Sequence, residues 1–344
     1  MTRSPDAIAA PLAHRAPFAR RLPLVALLFL LMIVTVLAAP FVGPTHLSFA
    51  RVFDTNRPFA DNVDAQIFFI ARLPRAVAGA LVGGTLAAAG VVFQGLLRNP
   101  LATPYTLGIS AGASLGAMVA ITFGAMLPFA SVPAASLFGA VLAVAVVYAL
   151  ARARHRGLST TVLLLAGVTM NAFFSALILF VQYLSDFSQT FRALRWLMGD
   201  LDVATYAPVL SALPLVAISG AAFLWLARPL NLLSLGADAA AARGLNVDRT
   251  QRVAFLSASL ATGAAVAVGG PIGFVGIIVP HLVRLIVGAD HRLVLPASAC
   301  FGAAFLVACD VVARTVLSPL ELPVGVVTAM IGGPFFLWLL IRRT

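Results

Sequence analysis

The chain contains no lysine: all 23 of its basic residues are arginine. A P-loop needs a lysine on the nucleotide phosphates and a Schiff-base enzyme needs a lysine amine, so neither chemistry is available here. Any ATP that drives this protein is bound, with its Mg, by a partner. Cysteine is almost as scarce, with only Cys300 and Cys309 in 344 residues. That excludes a disulfide scaffold, and their place in an apolar stretch reads as inert packing. Charge is scarce too, at 10% of residues against about 25% in soluble domains. With 61% hydrophobic residues and a mean hydropathy of +1.02, too little polar surface remains to face water on all sides. The chain is an integral membrane protein, which excludes intrinsic disorder and a water-soluble enzyme. No cluster with metal-ligand spacing is present.

A spanning helix needs about 20 apolar residues. Cutting the chain at charges, prolines and glycine pairs leaves ten such pieces, near 23–43, 76–97, 102–127, 133–151, 158–183, 204–227, 253–269, 271–289, 293–312 and 322–341. The expected fold is an all-α membrane bundle of about ten spans. Asn99 to Ala151 carries no charge and is too long for one helix, so Pro128–Pro133 reads as its turn. Gly269-Gly270-Pro271 permits one kinked helix or two short ones. The first apolar run, about 21 residues, exceeds the usual core of a cleaved signal and reads as a span. Residues 1–21 are expected to form a basic cytoplasmic tail and 22–344 a single transmembrane domain.

Arginine placement tests the count, because cytoplasmic loops keep the basic excess. Arg3, Arg15, Arg20 and Arg21 precede the first span, and Arg342 and Arg343 follow the last. Ten alternating spans between two cytoplasmic ends put 16 arginines inside and 7 outside, with net charges of +12 and −1. The pI near 11.3 therefore reports topology and not a nucleic-acid partner.

Small residues four apart, Gly79 with Gly83 and Gly108 with Gly112 and Gly116, mark seams where helices approach closely. Gly108-Ile109-Ser110-Ala111-Gly112 also matches the serine-hydrolase elbow, but of the five histidines (His14, His46, His155, His281, His291) none sits mid-membrane to activate Ser110. Arg72-Leu73-Pro74-Arg75 and Arg314 fall at the external mouth, against the positive-inside bias. They read either as interfacial side chains with an Asp310–Arg314 i, i+4 pair, or as guanidiniums that dock the carboxylates of an external partner. In the long cytoplasmic loop, 228–252, an alanine run flanked by Gly236 and Gly244 predicts a short glycine-capped helix outside the bilayer.

These residues, together with Gln94-Gly95-Leu96-Leu97-Arg98-Asn99-Pro100-Leu101-Ala102, Leu163-Leu164-Leu165-Ala166-Gly167, Arg195-Trp196-Leu197-Met198-Gly199, Gly273-Phe274-Val275-Gly276 and Glu321-Leu322-Pro323-Val324-Gly325, carry a resemblance. From about residue 22 onward the chain resembles a permease subunit of the FecCD family of ABC importers for iron siderophores, haem and cobalamin. The resemblance implies a homodimer in the bacterial inner membrane, two ATPase subunits and a periplasmic substrate-binding protein, with no cofactor on this chain. It implies docking of the binding protein by Arg72, Arg75 and Arg314. Ala237, Asp238, Ala239, Ala240, Arg243, Gly244 and Leu245 match the coupling helix that meets the ATPase. Asn99, Leu101, Thr160 and Thr161 align with the cytoplasmic gate, and the third, fifth and tenth spans are expected near the passage. An iron chelate is the first-choice cargo and cobalamin the second. A proton-coupled carrier would need a deep carboxylate, for which Asp310 and Glu321 are the candidates.

Overall fold

The computed structural model describes residues 18–124, 131–152, 160–202 and 205–343. Most of the basic tail, the Pro128 end of the expected turn, His155, Arg154 and Arg156 lie outside the described residues. All regular structure within them is helical: α1 (Phe18–Ala38), α2 (Phe49–Val52), α3 (Val63–Gln66), α4 (Leu73–Leu97), α5 (Ile109–Phe123), α6 (Val132–Arg152), α7 (Thr160–Tyr183), α8 (Phe187–Leu197), α9 (Ala207–Leu233), α10 (Ala237–Ala242), α11 (Val247–Gly269), α12 (Val275–Val287), α13 (His291–Thr315) and α14 (Val324–Arg343). Seven helical segments are long and apolar enough to cross a bilayer, and α5, α12 and α14 are shorter apolar helices, so the ten expected spans are matched by ten helices.

The core is built on α4 and α11. α4 packs against α13, α11 and α12, and α11 against α9 and α6, while α5 pairs with α6 and α7, and α1 lies along α13. Without a hydrophobic drive between helices in lipid, close approach through small residues has to supply the packing. A side chain at Gly83 would run into Gly302 O and Leu306, and one at Gly116 into Ala135 O, so the two sequence seams are the α4–α13 and α5–α6 contacts.

Several boundaries differ from the sequence expectation; the loop expected over 228–252 is shorter, because α9 runs on to Leu233 and α11 starts at Val247. The second span begins earlier, because α3 continues through a π-helical stretch, Ile67–Arg72, into α4. The third begins later: Pro104–Leu107 is a 3-10 turn, and α5 starts only after Gly108 at φ +75°. Between the fifth and sixth spans lies the unexpected α8, which starts in a capping box: the Asp186 side chain accepts from Gln189 N at 2.7 Å, and Gln189 Oε1 accepts from Asp186 N at 3.1 Å. Asp-x-x-Gln before an amphipathic run was the available signal. Asp186→Ala is expected to cost about 1 kcal/mol and to fray α8, read as faster hydrogen exchange at Phe187–Gln189; unchanged exchange would refute it.

Candidate functional site

Two breaks in the helices meet at one place. Thr103 caps the 3-10 turn by accepting from Thr106 N, at 3.4 Å, and the turn ends at Gly108. The second break runs from Gly270 to Phe274: α11 stops at Gly269, Gly270 takes φ +69° and α12 resumes at Val275. A Cβ on Gly270 would lie 2.6 Å from Trp196 O, so this turn needs glycine for conformation and for space. Of the two options at Gly269-Gly270-Pro271, two separate helices form. Non-helical backbone at membrane depth persists only where protein buries it or where it lines a cavity.

Here it lines two. One of about 650 Å³ is walled by Tyr105, Leu197, Met198, Phe274, Val326 and Met330, and one of about 240 Å³ by Leu86, Thr103, Tyr105, Ile272, Phe274 and Ile277. Tyr105 and Phe274 belong to both, and among the described residues no charged one lines either. Phe274 stands at φ +67°, and its ring fills the space that a side chain at Gly332 of α14 would need. A non-glycine residue in the left-handed region costs of order 1 kcal/mol and persists only where its surroundings enforce it. Such a lining performs no covalent chemistry. It can hold a bulky, mostly apolar solute weakly. Ser110, on the hydrolase-like motif, is buried in α5, and no imidazole bonds to it among the described residues.

Arg72, Arg75 and Arg314, expected at the external mouth, are brought together, with their guanidiniums turned inward. Arg72 donates to Pro40 O at 3.0 Å and Thr45 O at 2.8 Å, and Arg314 donates to Ala39 O at 2.6 Å. Arg75 pairs with Asp310 at 2.9 Å and with Glu321 at 2.7 Å. The i, i+4 pair expected from spacing, Arg314 with Asp310, is present but long at 3.7 Å. The tighter partner of Asp310 comes from another helix, which no local signal reveals. With three guanidiniums and two carboxylates the cluster carries one net positive charge, and Arg314 Nε has no hydrogen-bond acceptor. Asp310, held by two guanidiniums, is not placed as a free proton carrier.

On the opposite face, α10 is the short capped helix expected from Gly236 and Gly244. Leu245 N bonds Ala240 O at 3.1 Å and Gly244 N, at φ +80°, bonds Ala241 O at 2.9 Å, the two bonds of a Schellman ending. Ala240 is buried against the bundle, while Asp238, Ala241, Ala242, Arg243 and Gly244 are exposed. Asn99 and Leu101 occupy the turn after α4, and Leu101 N bonds Asn99 Oδ1 at 2.9 Å. Thr160 and Thr161 open α7. No hydrogen bond joins these pairs among the described residues; the link between them is the 3-10 turn, which packs on Gly167 of α7. Nearby, the Asp290 carboxyl is lowered to about 2 by its bond to Arg292, with a further bond from Asn231. A depressed carboxyl stabilises the fold above its unfolded value of about 3.9, and that contribution fades as pH falls toward about 2.

The model of the FecCD transport family matches residues 30–342. The hemin transport system permease protein HmuU of Yersinia pestis is 38% identical over 324 residues, covering 92% of this chain and 94% of its own. The cobalamin import system permease protein BtuC of Halobacterium salinarum is 46% identical over 272 residues, 79% of this chain and 72% of its own. A solved inward-facing structure of an ABC transporter assigned to the metal-chelate type superposes with a TM-score of 0.81 at 33% identity, covering 93% of this chain and 99% of the other.

Proposed function

The chain belongs to the FecCD transport family, and from that premise we propose that this ABC importer permease moves an intact iron chelate, siderophore or haem, by alternating access. The observation that carries the reading is the uncharged cavity pair around Tyr105 and Phe274, built where two helices are broken. An apolar and aromatic lining suits a cargo whose metal is already wrapped in organic ligand, because few fixed polar contacts mean weak binding and easy release. Cobalamin is the second reading, favoured by the 46% identity to the cobalamin permease.

In this reading two copies of the chain enclose the passage in the bacterial inner membrane, with both ends cytoplasmic. Arg72, Arg75 and Arg314 receive carboxylates of a periplasmic binding protein. The net positive charge of the cluster supports that role, since an incoming carboxylate would balance it. Two ATPase subunits bind ATP and Mg and grip the exposed side of α10, which passes their closure to α9 and α11. Asn99, Leu101, Thr160 and Thr161 close the inner end.

Ala241→Glu with Ala242→Glu, both on the exposed side of α10, should reduce co-purification of the co-expressed ATPase by roughly tenfold or more, about 1.4 kcal/mol, and leave the melting temperature unchanged. Uptake of ferric siderophore, haem or cobalamin into proteoliposomes that persists without the ATPase would overturn the importer reading. Abundance in the native host then separates cargoes: a rise on iron starvation supports the iron chelate, and repression by cobalamin alone supports the corrinoid.

A further inference from the structure

A third cavity, of about 400 Å³, lies at the cytoplasmic ends of four helices and outside the apolar pair described above. Its wall includes Gln94 and Arg98 at the end of α4, Ser234 just past α9, His281 and Arg284 in α12, and His291 at the start of α13. Among the described residues, no carboxylate lines it. Among the described residues, neither Arg98 nor Arg284 has a carboxylate within ion-pair distance. Asp290, next to His291, is turned to Arg292 and Asn231. The polar groups are held in place: Arg284 donates to Gln94 Oε1 at 2.5 Å, and the same amide donates to Gly276 O at 3.0 Å.

A half-buried guanidinium with only a neutral amide partner is costly unless an anion completes it. The volume falls in the range of about 300–1,000 Å³ of small-molecule sites. The mouth is apolar on one side, where Leu285 is 73% exposed. Planar guanidiniums match phosphate oxygens in pairs, and basic pockets between spanning helices at the cytoplasmic surface are built to take anionic headgroups. We propose that this cavity binds the phosphate of an anionic inner-leaflet phospholipid, gripped by Arg98 and Arg284, with an acyl chain along Leu285. Arg98 also lies beside Gly236, at the head of α10, its Nη1 being 3.8 Å from where a Cβ would stand. The bound headgroup therefore sits next to the element proposed to meet the ATPase.

The test is lipid exchange on the full-length protein in detergent, read by native mass spectrometry with phosphatidylglycerol against phosphatidylcholine. The parent should prefer phosphatidylglycerol by about tenfold or more, and Arg98→Gln with Arg284→Gln should abolish the preference. The Arg98 side chain makes no hydrogen bond or ion pair within the described residues, so Arg98→Gln alone keeps the fold and should lower the preference several-fold, even if the double variant unfolds. Equal binding of the two lipids by the parent, or an undiminished preference in Arg98→Gln, overturns the proposal. Binding of inorganic phosphate without any lipid preference assigns the site to free phosphate and rejects the lipid. Loss of the parent's preference when the ATPase is bound assigns the arginines to a protein carboxylate instead, and rejects it too.

Discussion

Arg75→Ala is expected to destabilise the folded chain by about 3–5 kcal/mol, seen as a large fall in melting temperature in detergent. Asp310 is 2% exposed, and Arg75 supplies its close contacts, Nε at 2.9 and 3.1 Å from the two carboxylate oxygens. Alanine leaves that buried charge with Arg314 alone, at 3.7 Å. Glu321 loses its partner as well, but its side chain is 41% exposed and water can replace the bond. The cost thus arises mainly from an uncompensated charge, and removing the charge should remove most of the cost. Arg75→Met with Asp310→Leu, which replaces the pair by apolar groups of similar size, should melt close to the parent. If Arg75→Ala melts like the parent while capture of the binding protein fails, Arg75 acts in docking alone and the cluster has no structural weight.

Gly302→Val should be nearly as damaging, at about 2–3 kcal/mol, through sterics and not charge. A Cβ at Gly302 would stand 2.6 Å from Gly83 O and collide with Ala87 Cβ, and the obstacle is in part backbone that cannot rotate away. α4 and α13 must then move apart along their shared length, which loses dispersion contacts that lipid does not repay. Gly220→Ala is the matched control. Gly220 lies inside α9 with nothing within 4 Å of its Cβ position, so alanine should be neutral or should add up to about 1 kcal/mol through helix propensity. Equal melting temperatures for the two variants would refute the close-packing account.

The α10 region was the most legible part of the molecule. Gly236, the alanine run and Gly244 specify α10 and its ending through local backbone rules, and the structure follows them bond for bond. The arginine cluster on the opposite face was legible only in part. The position of Arg72, Arg75 and Arg314 against the charge bias marked them, and the i, i+4 spacing marked Asp310 with Arg314. Neither feature shows that Arg75 is the main partner of Asp310, 235 residues away. The third span was drawn too early because Pro104–Leu107 is as apolar as a helix; Thr103 before Pro104 and Gly108 after the turn were the overlooked signals.

Composition and period by themselves determined the membrane class, about ten spans and the glycine seams. These depend on bilayer thickness, on the chemistry of single residue types and on contacts a few residues apart. Tertiary structure alone decided that the two breaks share one cavity, that Arg72, Arg75 and Arg314 turn inward, and that Arg98 and Arg284 face a common space which, among the described residues, no carboxylate lines. Those outcomes depend on which helix faces meet, and helices meet through the shape of their whole surfaces, which no local stretch of sequence encodes.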